Sequence, residues 1–263
     1  MTAQLDSGPA VPERSWTGTL EDPRCRDPRS TVRPVAVIAR GDRHFTVPEA
    51  LVIVLPVGSC LDTVAAEAAA ALDGVGGRVT VRGWLGDEHG NAQALPPYWH
   101  NLDPVAAQES VVELAALGAR SHEAGRHDRV VVLCQRFVPT SAAARVVVDS
   151  TARQVRVDSC WGLDEMFDTV FATDTLILSL PALDIVRHTV VQKPNAVRAA
   201  DGGTAMVSVA PDRRGRAAVY PDLGRRLGTA CRHLSLDAGS DGRFTIGIVG
   251  DRHYLLTCEL DEL

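Results

Sequence analysis

Apolar positions change their period several times along the chain. Residues 1–33 have no apolar period and are rich in Pro, Asp, Arg, Ser and Thr, which predicts a mobile arm. From Arg33 the pattern tightens. Val35–Ala39 and Leu51–Leu55 are short runs with β-branched residues and predict strands. Leu61–Leu72 is alanine-rich and predicts a helix closed by Gly74, Gly76 and Gly77. Val79–Arg82 reads as a further strand. Gly83–His100 carries glycines, Pro96, Pro97 and aromatics and reads as a loop. Val105–Ala124 reads as a helix with Val105, Val112, Ala115, Ala116 and Ala119 on one face, Asp103 as its cap and Pro104 at its first position.

The second half is richer in strands. Val130–Cys134 is a continuous apolar run, the pattern of a buried strand. Arg145–Val148 and Val155–Asp158 predict a strand pair, and Asp174–Leu180, Ile185–Val191 and Ala205–Val209 predict more strands. Leu223–Leu234 predicts a helix. Phe244–Val249 and Tyr254–Cys258 predict a hairpin around Gly250-Asp251. The expected class is therefore α+β with an antiparallel-rich second half. The expected organisation is an arm over 1–33, an N-terminal lobe over 34–128 and a C-terminal lobe over 129–263.

Composition narrows the function classes. At 263 residues the chain is long enough for one large domain or two lobes. A net charge of −6 leaves no basic footprint for nucleic acid. No stretch reaches the ~18 apolar residues of a membrane span, and the polar N-terminus has no leader-like apolar region, so a cytoplasmic protein is expected. Six cysteines are spread without a CxxC pair, so no metal site is assigned. Cys60, Cys134, Cys160 and Cys258 sit in or beside apolar runs and read as buried reduced thiols. Of the 27 basic residues, all but Lys193 are arginine, whose planar fork suits phosphate.

Five segments in order carry a resemblance. TVPEALVIV (Thr46 to Val54) looks like VPPGFVVT, and VTVRGWLGDEHG (Val79 to Gly90) looks like VRSSATxEDG. VVVLCQRFVPTSAAARVVV (Val130 to Val148) looks like VVVQxMVxxxxxGVxFT, and RVDSCWGLDE (Arg156 to Glu165) looks like VIEAxWGLGE. FTIGIVGDRHYLLTCEL (Phe244 to Leu260) looks like IEWAIDGxxLYLLQxRP. Together, over about residues 46–260, they resemble the N-terminal ATP-binding domain of the phosphoenolpyruvate synthase, pyruvate phosphate dikinase and rifampin phosphotransferase family. The resemblance implies an ATP-grasp-like, two-lobed fold with a nucleotide between the lobes.

It also implies roles, position by position. Arg82 matches a phosphate-contacting arginine, and Glu88 matches the first of two acids, the second being His89 here. Gln135 lies near the glutamine of the segment along the adenine, and Glu165 matches the acid of WGLGE, with Asp164 in place of its second glycine. The nucleotide-binding set expected is thus Arg82, Glu88, Gln135 and Glu165. Lys193 falls where the family often has a lysine, and a solvated strand end is the plainer reading of it.

Other positions depart from the pattern. The GGKAANL block has no counterpart in Val35–Phe45. The metal-binding glutamate falls on Thr245, the glutamine of LLQxRP on Thr257, and its arginine on Glu259. Phosphoryl transfer rests on positioning and on charge neutralisation by metal and cations, so these losses should cripple it. Three readings follow. The first is a degenerate domain that binds a ligand or a protein partner supplying the missing parts. The second is an ATP-dependent phosphotransferase or ligase component. The third is a structural subunit. ATP with magnesium, or no cofactor at all, are both left open.

Overall fold

The computed structural model describes residues 45–72, 77–86, 92–122, 129–168 and 172–260. The expected arm, the expected strand Val35–Ala39 and Glu88 lie outside the described residues. In chain order the elements are β1 (Ala50–Pro56), α1 (Leu61–Leu72), β2 (Val79–Gly86), β3 (Ala92–Leu102), α2 (Pro104–His122), β4 (Arg129–Arg136), β5 (Ala142–Asp149), β6 (Gln154–Trp161), a 3-10 helix (Asp164–Asp168), β7 (Asp174–Ser179), β8 (Ile185–Thr189), β9 (Asn195–Ala200), β10 (Gly203–Ser208), α3 (Pro211–Arg214), α4 (Pro221–Ala238), β11 (Gly242–Val249) and β12 (Arg252–Leu260).

The fold is α+β, with one four-stranded sheet ordered β1-β4-β2-β3, one six-stranded sheet ordered β12-β11-β5-β6-β7-β8, and a β9–β10 hairpin. Among the described residues these strands pair antiparallel throughout, and two isolated bridges, Thr46–Tyr254 and Gly162–Val197, are parallel. The six-stranded sheet matches the antiparallel second half expected from sequence. Residues 129–136, assigned there to the second lobe, are hydrogen-bonded to β1 and β2 instead, so the first sheet runs past 128.

In the first sheet, alternation sets the two faces. Val79, Val81 and Leu85 of β2 and Val130, Val132 and Cys134 of β4 pack beneath Val64 of α1 and Val111 and Leu114 of α2. Thr80 and Arg82 therefore face the other way. Asp103 caps α2 through the Ala106 N–H at 3.0 Å, as expected. The buried stripe of that helix is rolled from the expected one: Ala115 is buried as expected and Val112 packs at the margin, but Ala107, Val111 and Leu114 fill the core, and Val105 is 66% exposed. Two glycines explain the roll. Leu114 sits over Gly83 and Val130 over Gly118, where any added Cβ would collide with them.

The loop expected over 83–100 is largely strand, with β2 continuing to Gly86 and β3 beginning at Ala92. The prolines misled because β3 is an edge strand, where a missing donor is tolerated. Leu95 pairs with Gly83 and Trp99 with Val81, so β3 bulges by two residues around Pro96 and Pro97.

In the second sheet one face is covered by α4. Val146, Val155, Val157, Leu176, Leu178, Phe244 and Ile246 meet Leu227, Ala230, Cys231 and Leu234. Cys60 is exposed, against expectation, because it precedes α1 and not the core. Backbone N–H groups of Thr63 and then Asp62 lower its pKa. Cys134 is buried as expected, and burial pushes its thiol pKa up to about 12.

The turn after β6 depends on Gly162, which has φ +87° and would place a Cβ 2.0 Å from the Val197 carbonyl oxygen. The neighbouring Leu163 N–H donates to that same oxygen at 2.9 Å. Gly162→Ala is expected to destabilise the fold by about 2–3 kcal/mol, from backbone strain plus overpacking. A lower urea midpoint at unchanged m-value is the signature, and an unchanged midpoint would refute the close approach.

Candidate functional site

Two walls meet between the sheets. From the first sheet come Thr80 and Arg82 of β2, His100 of β3 and Gln135 of β4; from the second lobe come Leu163, Asp164 and Leu256. Thr80 and Gln135 are directly paired across β2 and β4, so both point the same way. His100 follows Trp99, which packs on the helix side, and alternation turns His100 to the cleft.

The two walls are joined by an ion pair. Arg82 Nη2 donates to Asp164 Oδ2 at 2.6 Å, and both side chains are buried. Burial by itself raises the Asp164 carboxyl, but the Arg82 guanidinium and then His100 outweigh it and hold its pKa below the usual carboxylate value. The Arg82 guanidinium also lies 6.0 Å from the Tyr98 ring centre.

Beside this pair runs a second polar chain. Thr80 Oγ1 and His100 Nδ1 are 3.3 Å apart, His100 Nε2 lies 4.0 Å from Glu165 Oε1, and Thr204 Oγ1 donates to Glu165 Oε1 at 3.2 Å. Asn101, at φ 59°, completes the junction: its Nδ2 donates to the carbonyls of Ala200 at 2.5 Å and Gly203 at 2.8 Å. The β9–β10 hairpin is thereby tied to the end of β3.

Of the residues expected to hold a nucleotide, Arg82 and Gln135 line one cavity, and Glu165 reaches it through His100. That cavity has about 10 Å³ of free space, room for a single water. Small-molecule pockets usually measure about 300–1,000 Å³. The cleft in this form does not fit a nucleotide. Arg82 Nε and Gln135 Nε2 are buried and find no partner among the described residues. No three His, Cys, Asp or Glu side chains converge on a metal position among the described residues.

Sequence reasoning missed three participants. Asp164 was visible only as a substituted glycine, His100 was hidden in a segment read as loop, and Thr80 carried no signal of its own. Lys193 is corrected outright. It is buried, with its Nζ donating to Asp174 Oδ1 at 2.5 Å and to the Val191 carbonyl at 2.8 Å. A roomier hollow of about 250 Å³ lies beside it, walled by Cys160, Trp161, Met166, Gln192 and Asn195.

No protein-family model matches the chain. No curated protein matches it either. Among solved structures it is similar to D-alanine–D-alanine ligase from Bacillus anthracis, at TM-score 0.33 and 11% identity, over 85% of this chain and 53% of that one. It is also similar to the macrocyclase MdnC bound with precursor peptide MdnA from Microcystis aeruginosa, at TM-score 0.30 and 9% identity, over 84% of this chain and 49% of that one. The chain spans about half the length of these structures.

Proposed function

We propose that the chain is a degenerate ATP-grasp-like domain, of the phosphoenolpyruvate synthase kind, that works in the cytoplasm as a ligand- or partner-binding protein and transfers no phosphoryl group itself. The observation that carries this reading is the Arg82–Asp164 pair at 2.6 Å. The arginine that the resemblance assigns to phosphate is held by an internal carboxylate, at the position where the family has a glycine. A partner protein would supply the parts that Thr245, Thr257 and Glu259 no longer provide.

One observation favours a second reading, a phosphotransferase or ligase component. Arg82 Nε and Gln135 Nε2 are buried donors on the same wall, each of a kind that costs about 1–3 kcal/mol to leave unpaired. A cleft that opens would offer both to an acceptor-rich ligand such as ATP.

Calorimetric titration of the whole chain with ATP, with and without magnesium, separates the two. The expected result is no binding heat in either condition. Tight magnesium-dependent binding that Arg82→Ala abolishes would overturn the first reading and establish the second.

A further inference from the structure

We propose that the exposed cross-strand row of the six-stranded sheet, on the face opposite α4 and beyond the part covered by Leu163, Met166 and Phe167, docks helix α2 of a second copy of this chain. The face opposite α4 carries an unbroken cross-strand row. Glu259 pairs with Arg243, Arg243 with Val147, Val147 with Arg156, Arg156 with Ile177, and Ile177 with Arg187. Directly opposed residues share a face, so arginine and aliphatic side chains alternate across β11, β5, β6, β7 and β8. The three arginines are exposed, and Val147 and Ile177 are half-buried.

The arginines are set in place. Arg156 Nε donates to Asp158 at 3.0 Å, and Arg187 Nε donates to Thr189 at 3.1 Å, each two residues along its own strand. Both guanidinium planes are held by Nε, which leaves the terminal nitrogens for carboxylates on a partner. A fork fixed beforehand loses less freedom on binding.

Helix α2 presents the complement. Its outward side carries Val105, Glu109 and Glu113, all exposed, with Val112 half-buried between them. Val112 also packs at the margin of the core, so the outward strip is Val105 with the two acids. Strands lie about 4.8 Å apart and a helical turn rises about 5.4 Å, so successive turns meet successive strands. Val105 then meets Val147 and Glu109 meets Arg156, and Glu113, about 12 Å along the helix from Val105, falls between β7 and β8 within reach of the long Arg187 side chain. The 19-residue helix is about 28 Å long, and six strands span about 24 Å. Sheet twist turns neighbouring strands by about 20°, a drift that long arginine side chains take up. Alternation with Val147 and Ile177, in a chain of net charge −6, favours an amphipathic helix over nucleic acid. The contact is head-to-tail, so it generates rings or open chains.

Sedimentation velocity of the full chain between 1 and 100 µM, at low and high salt, tests this. We expect the mass to rise above 28.1 kDa with concentration at low salt and return to it at high salt, because exposed charges are screened. The double variant Arg156→Glu/Arg187→Glu and the double variant Glu109→Arg/Glu113→Arg should each weaken association about tenfold or more. An equimolar mixture of the two should restore it, since each then offers the opposite charge. A monomer at every concentration in low salt, association that neither variant changes, a mixture that stays monomeric, or binding of single-stranded DNA in place of self-association would each overturn the proposal.

Discussion

Replacing Asp174 by alanine is expected to lower the unfolding free energy by about 3–5 kcal/mol, the range for breaking a buried ion pair from one side. Asp174 opens β7 and is 1% exposed. Its Oδ1 accepts from Lys193 Nζ and from the Val191 N–H at 3.0 Å, and its Oδ2 accepts from the Ala218 N–H at 2.8 Å. One carboxylate thus pins the segment after β8 and the segment before α4 to the sheet. Removal leaves a buried ammonium and two buried N–H groups without their acceptor. Lys193→Met alone leaves the carboxylate with both N–H donors, so its loss should be smaller. Asp174→Asn keeps an acceptor and drops the charge, and should fall between. Urea unfolding of the three variants at pH 7 gives the order. Equal losses for Asp174→Ala and Lys193→Met would mean that the ion pair, and not the N–H groups, carries the whole effect.

How much of this was legible in the sequence varies from place to place. α1 is observed over the residues that its alanine run and flanking glycines predicted, because helix propensity and stop signals agreed there. The closing hairpin followed from Gly250-Asp251, since turn chemistry is local. Residues 92–102 failed because proline weighs against a strand unless its edge position is known, and position in a sheet is a tertiary fact. The stripe of α2 was right at Ala115 and wrong at Val105 for a related reason. Val105 and Val112 fit a helical period as well as Ala107, Val111 and Leu114 do, and the choice was made by Gly83 and Gly118 against Leu114 and Val130. At the cleft, Arg82 and Gln135 were found by resemblance, whereas their surroundings were not. An internal partner for Arg82 depends on bringing β2 and the segment after β6 together, 82 residues apart. Lys193 shows the same limit: a lone lysine at a strand end reads as solvated until Asp174 is placed beside it.

The Arg82–Asp164 pair gives the prediction with the most bearing on function. Asp164→Ala should destabilise by about 3–5 kcal/mol, because it strands a buried guanidinium between the lobes. The pH dependence has a definite sign. The folded pKa of Asp164 lies below its unfolded value of about 3.9, so the pair contributes stability above that pH and loses it as pH falls through the folded value. Wild-type stability should therefore decline toward acid with a contribution that Asp164→Asn lacks, and the two curves should converge at the acid end. Parallel curves would place the acid sensitivity elsewhere. The same variant addresses the cleft. If Asp164 alone closes it, Asp164→Asn frees Arg82 for an external anion, and ATP heat absent from wild type should appear on titration. If the variant also gives no heat, the missing lysine and acid positions were limiting as well, and the degeneracy runs deeper than one carboxylate. In either case the comparison separates a site masked by its own side chain from one that no longer has the groups to hold phosphate.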